Sequence, residues 1–67
     1  MKVFYIMDFD KKIAEGVIFY NNKICISWVT ISNIEIYDSL EDVKRYCIQG
    51  YERRSILYKD RKKLESK

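Results

Sequence analysis

The chain has 67 residues, a length that limits it to one small core, and its composition of 48% apolar and 15% aromatic residues argues against a disordered protein. It contains no histidine, which excludes Ser-His and Cys-His nucleophiles and an imidazole base. The formal net charge is +3, yet residues 1–52 hold six basic and eight acidic residues while residues 53–67 hold seven basic and two acidic ones, so the C-terminal end is the electropositive pole.

The first predicted element is a strand over residues 3–9, a run of β-branched and aromatic side chains. The run is apolar on both of its faces, which favours a central or doubly covered strand. Asp10 and the two lysines that follow it are polar and fit a hairpin connection.

The next two predicted strands, residues 14–20 and 23–29, form a hairpin about Asn21 and Asn22. Asparagine tolerates the positive φ that a two-residue type I′ turn requires. With that turn, alternate side chains of the two strands share one face, which we predict to be the core face: Val17, Phe19, Ile24, Ile26 and Trp28. The opposite face then carries Ile18, Tyr20, Lys23, Cys25 and Ser27. Gly16 indicates a bulge or a close backbone approach.

The second half of the chain predicts a short strand, one helix and a closing strand. Ile34 and Ile36 lie on one face of the strand at residues 33–37. Ser39 is a suitable N-cap for a helix over residues 40–48, and Gly50 suits its C-terminal end. Residues 54–58 alternate again as the last strand, and residues 59–67 form a basic C-terminal tail.

These elements predict a single α+β domain over residues 1–58, in the order β-β-β-β-α-β. The sheet is mainly antiparallel with about five strands, either open or closed into a partial barrel, and one short helix lies against it. The expected core residues are Trp28, Phe19, Ile26, Ile36, Val43 and Ile56.

Neither a cofactor nor a metal is expected. The chain has two cysteines, Cys25 and Cys47, without CxxC spacing, so a zinc site is excluded. We expect both thiols to be reduced and mostly buried, because the chain opens without a signal peptide and so predicts a cytoplasmic protein. No apolar run approaches the ~20 residues that span a bilayer, so no membrane segment is expected.

Three segments together resemble small proteins of unknown function encoded by bacterial phages and prophages. They are residues 16–28 (GVIFYNNKICISW), 36–43 (IYDSLEDV) and 54–58 (RSILY). The shared pattern is a hairpin ending in Trp, then a Tyr-x-Ser-hydrophobic-Glu-Asp helix start and a short closing strand. The chain departs from it at residues 47–53 (CIQGYER), where His-Gly-type residues are expected. The resemblance implies host-directed binding, including inhibition of a host defence system such as CRISPR.

No catalytic motif is present. The chain has two glycines and neither a P-loop nor a GxGxxG sequence. Two acidic groups, Asp8 with Asp10 and residues 38–42, are explained by turn and helix-start chemistry. We therefore predict a protein that is not an enzyme.

Two binding functions remain open. The first is protein binding, to a second copy or to a host protein, through the outer hairpin face of Ile18, Tyr20, Cys25 and Ser27; a chain below ~70–80 residues usually needs extra burial. The second is nucleic-acid binding by a basic C-terminal strip, since cations neutralise phosphates and exposed aromatics stack on bases. That strip comprises Arg53, Arg54, Tyr58, Lys59, Arg61, Lys62 and Lys63.

Overall fold

The computed structural model describes residues 1–59, which form five strands and one short helix. The strands are β1 (Lys2–Asp8), β2 (Lys11–Ile18), β3 (Ile24–Trp28), β4 (Asn33–Tyr37) and β5 (Arg54–Tyr58); the helix, α1 (Leu40–Val43), continues as a π-helical turn (Lys44–Ile48). Every strand pairing is antiparallel, so the predicted α+β class with a five-stranded antiparallel sheet is confirmed. Among the predicted basic residues, Arg61, Lys62 and Lys63 lie outside the described residues.

The order of the strands across the sheet is β4-β3-β2-β1-β5, which differs from their order along the chain. The helix carries the chain from β4 at one edge to β5 at the other, where β5 pairs with β1. The sheet formed by residues 1–59 is open, and β4 and β5 are its edges, so the barrel alternative is wrong.

The helix forms where the sequence predicts it and is stabilised at both ends. The Ser39 hydroxyl accepts a hydrogen bond of 3.2 Å from the Asp42 amide, as an N-cap does. Gln49 N–H donates to the Lys44 carbonyl five residues earlier, which gives the second half its π-helical geometry. Gly50 then takes a φ of 91°, a conformation that ends helices and suits glycine.

The core lies between the helix and one side of the sheet, which we call the inner face. Its fully or nearly fully buried side chains come from β1, β2, β3 and the helix: Phe4, Ile6, Ile13, Ala14, Ile24, Ile26, Val43 and Cys47. Trp28 and Ile56 are half-buried and pack against this cluster, while Ile26 and Val43 are fully buried, as predicted. No helix in residues 1–59 is long and apolar enough to cross a bilayer.

The predicted register of the β2–β3 hairpin is wrong by one residue. Val17 lies opposite Cys25 and Gly16 opposite Ile26, because the loop has three residues rather than two. Asn22 N–H donates to the Phe19 carbonyl, and Asn22 alone in this loop has a positive φ, of 71°. A type I turn followed by one left-handed residue gives this three-residue loop.

The register slip reverses the faces of β2. Gly16 and Ile18 point towards the helix, whereas Val17 lies on the opposite side, and Phe19 is 43% exposed rather than in the core. The predicted core face of β3 is confirmed, since Ile24 and Ile26 are buried.

Two irregularities fit β2 against β1. The pairing shifts between Ile6 and Met7, so that Ile13 is the extra residue of a β-bulge and is buried together with Ala14. Gly16 lies opposite Phe4, and a Cβ built on it would be 2.2 Å from the ring carbon Cζ of Phe4. The close approach expected at Gly16 is therefore the ring of Phe4 lying across its backbone.

Candidate functional site

The side of the sheet that faces away from the helix, which we call the outer face, is covered by no element of residues 1–59. Register places one row of side chains from each strand on it: Val3, Tyr5, Met7, Lys12, Glu15, Val17, Cys25, Ser27, Ile34, Ile36, Ser55 and Leu57. Most of these side chains are aliphatic, aromatic or sulfur-containing. A sheet with one helix-covered face normally carries polar residues on the other, so the outer face is unusually apolar for an uncovered one.

The most exposed apolar side chains of the outer face lie on its two edge strands. Ile34 and Ile36 on β4 are 65% and 72% exposed, and Leu57 on β5 is 50% exposed. Between them, Val17 and Cys25 on the central strands are half-buried by their neighbours. By register, an apolar row therefore crosses four strands from Ile36 through Cys25 and Val17 to Val3, and the neighbouring Tyr5 and Leu57 extend it to the other edge.

The charges within the outer face are neutralised by each other. The Lys12 ammonium lies 3.1 Å from the Glu15 carboxylate and 4.3 Å from the centre of the Tyr5 ring. An ammonium over an aromatic ring is attracted by the ring quadrupole, so both neighbours hold Lys12 flat against the sheet. The middle of the face thus presents no net charge to a partner.

A polar cluster on the inner face explains why the isoleucines of β4 point outwards. The Glu35 carboxylate oxygen Oε1 accepts hydrogen bonds from Trp28 Nε1 at 3.0 Å and from the Tyr37 hydroxyl at 2.7 Å. Because side chains alternate along a strand, placing Glu35 and Tyr37 inside places Ile34 and Ile36 outside. The prediction that Ile36 belongs to the core is wrong for this reason.

Burial changes the acidity of two groups in this cluster. Desolvation raises the pKa of Tyr37 well above its ordinary value, and the hydrogen bonds with Cys47 and Glu35 add to that rise. Desolvation likewise raises the pKa of the Cys47 thiol, which donates to the Tyr37 hydroxyl at 3.6 Å. Both groups are held protonated, which suits a structural role. Cys25 and Cys47 are free thiols, as expected.

The four residues predicted to bind a protein divide between two places. Cys25 and Ser27 lie on the outer face. Ile18 instead points towards the inner side and, with Tyr20 from the hairpin loop, lines an open groove of about 580 Å³. Leu40 and Tyr58 form other walls of that groove.

The basic residues predicted to bind nucleic acid do not share a surface within residues 1–59. Arg53 lies 2.9 Å from Asp8, without the alignment of a hydrogen bond, and packs over the Phe9 ring. Arg54 lies on the inner side, where its guanidinium stacks 3.8 Å from the Tyr51 ring centre and donates to the Cys47 carbonyl. Tyr58 is half-buried and packs against the core. Lys59 is exposed at the end of β5.

The loop between β1 and β2 holds a strained aromatic residue. Phe9 has a φ of 62°, a conformation uncommon for a bulky residue, and its side chain is 68% exposed. Its amide donates to the Arg53 carbonyl at 2.9 Å, and the Arg53 guanidinium covers the ring. These two contacts join the loop to the residues that precede β5.

Residues 1–59 contain no group of three or more acidic, cysteine or histidine side chains that could hold a metal ion. Comparison with protein-family models, curated proteins and solved structures gave no match to this chain.

Proposed function

We propose that this protein is a non-catalytic protein-binding module whose binding surface is the outer face. The observation that carries the proposal is the continuous apolar surface of that face, which the described part of the chain leaves open. The partner it fits is a protein surface that is flat, apolar and without strong net charge. Inhibition of a host defence system, which the phage resemblance implies, stays a prediction about the identity of such a partner.

The size of the outer face supports a specific interface. Five strands spaced ~4.8 Å apart, each about five residues long at ~3.4 Å per residue, cover about 400 Å² in projection. Side-chain relief makes the accessible area larger than that projection, which places the face at the small end of specific interfaces, below the ~800 Å² that each partner buries in a standard one. Val17 and Cys25 on the central strands supply the apolar centre that such interfaces need, and the exposed isoleucines of β4 extend it to one edge.

Site-specific photo-crosslinking in cells tests the proposal. A photoreactive amino acid replaces Ile36 or Leu57 on the outer face, and Lys44 on the helix serves as the control because it is exposed on the opposite side. We expect protein adducts of defined mass from the two outer-face positions and none from Lys44. Adducts with nucleic acid or lipid, or equal protein adducts from all three positions, would refute the proposal.

A further inference from the structure

We propose that the partner of the outer face is a second copy of this chain, so that two sheets pack face to face with one helix on each outside. This inference rests on the function proposed above and adds the identity of the partner. Two twisted sheets pack well when their strands are aligned within about 30° and the sheets lie ~10 Å apart, and the side chains of the two facing surfaces then form a shared core.

The charge distribution of the outer face favours pairing with itself. In a twofold dimer the same patch meets itself, so a patch with net charge would repel its own copy. Here Lys12 and Glu15 neutralise each other within one chain at 3.1 Å, and the other side chains that register places around them are uncharged. Each copy therefore brings an already paired ammonium and carboxylate to the middle of the interface, and the exposed Lys59 lies at its margin, beyond the end of β5.

The small core gives the chain a reason to dimerise. Eight apolar residues are buried in the described part of the chain, and a domain of this size buries only ~60% of its unfolded surface. Below ~70–80 residues, oligomerisation is one of the standard ways to gain the missing burial. The outer face is a broad apolar surface available for it, with Ile36 and Leu57 at its opposite margins.

Sedimentation equilibrium of the full chain tests the inference over roughly a hundredfold range of concentration, since dimer formation follows mass action. We expect the mean mass to rise from that of one chain, 8.2 kDa, towards twice that value. Ile36→Lys and Leu57→Lys should each weaken the dimer by about tenfold or more, because an unpaired ammonium is forced into the interface. Tyr46→Lys is the matched control: it also replaces an exposed apolar residue by lysine, but on the helix.

The reactivity of Cys25 provides a second readout that does not depend on the lysine substitutions. This residue lies on the outer face, whereas the thiol of Cys47 is buried, so a Cys47→Ala chain reports the reactivity of Cys25 with a disulfide reagent. The reaction should slow as the protein concentration rises through the dissociation constant of the dimer. Circular dichroism of every variant confirms that its sheet is intact.

Three results would overturn the inference. The first is the mass of one chain at every concentration, and the second is equal weakening by Tyr46→Lys. The third is a reaction rate of Cys25 that does not change with protein concentration, because a dimer formed through the outer face must cover that thiol. A monomer that still gives outer-face crosslinks to a different protein refutes the homodimer and leaves the protein-binding function intact, whereas the absence of any outer-face adduct refutes both.

Discussion

Replacing Gly16 by alanine is the sharpest test of the packing between β1 and β2. The new Cβ would lie 2.2, 2.5 and 2.7 Å from three carbons of the Phe4 ring, which is fully buried and cannot move into solvent. Alanine in a strand normally gains roughly 0.5–1 kcal/mol over glycine, but overpacking a core costs about 1–3 kcal/mol. We therefore expect a net loss of about 1 kcal/mol, the difference between the midpoints of those two ranges.

Urea unfolding, followed by the fluorescence of Trp28 at a concentration where the chain has the mass of one copy, measures this loss. Phe4→Leu shortens the side chain that would clash, so Gly16→Ala should cost less in the Phe4→Leu background than in the original chain. The double-mutant cycle should give a coupling of about 1 kcal/mol, within the usual range for residues in contact.

Gly50→Ala is the matched control for this experiment. Gly50 has a φ of 91° and open space around it, so alanine should cost about 1–2 kcal/mol through backbone strain alone. That cost should be the same with or without Phe4→Leu. A Gly16→Ala chain as stable as the original, or a coupling to Phe4 no larger than that of Gly50, would refute the packing argument.

Three further predictions concern the loop and the polar cluster. Phe9→Gly should raise the free energy of unfolding by up to about 1 kcal/mol, because relief of the left-handed φ outweighs the lost contact with Arg53; a lower urea midpoint would contradict this. Trp28→Ala should cost about 3 kcal/mol, since it removes a large aromatic and one donor to Glu35; a loss below about 1 kcal/mol would contradict it. The free energy of unfolding should fall above pH ~8.5, because the folded chain keeps protons on Cys47, and at higher pH on Tyr37, that the unfolded chain releases. The fall should be at most ~1.4 kcal/mol per pH unit for each group. Tyr37→Phe should make the free energy of unfolding less dependent on pH above pH ~10, and an unchanged pH dependence would refute the role of Tyr37.

The direction of that pH effect follows from proton binding. A group whose pKa is higher in the folded state binds its proton more tightly there, so its contribution is complete below the unfolded pKa and is lost as the pH rises. Tyr37 and Cys47 both belong to this class, because burial opposes their anionic forms. The relevant window is therefore alkaline, with no loss expected from these two groups between pH 5 and pH 8.

The elements of the fold could be predicted from local sequence signals, because each signal acts over a few residues. Ser39 caps the helix, Gly50 follows its end, and the β-branched and aromatic runs form strands at nearly the predicted bounds. The position of β5 beside β1 depends on pairing between distant segments, which no local pattern specifies.

The faces of the strands were harder to predict than the strands themselves. In β4, isoleucine alternates with Glu35 and Tyr37. If hydrophobicity alone determined which face of the strand is buried, Ile34 and Ile36 would lie in the core. The structure reverses this because Trp28 and Tyr37 both donate to the Glu35 carboxylate, which satisfies a group that would otherwise be costly to bury. Partners that lie on different strands cannot be identified from the order of residues within β4.

The loop between β2 and β3 has the largest consequence for function, because its length sets which residues reach the outer face. A two-residue loop would direct Val17 and Phe19 towards the helix, and the side of β2 opposite them would carry Ile18 to the surface. The three-residue loop, with Asn22 in the left-handed conformation, instead sends Val17 outwards, where it joins Cys25 and Ile36 in one apolar row. One additional loop residue thus decides that Val17, rather than Ile18, belongs to the outer face on which both proposals depend.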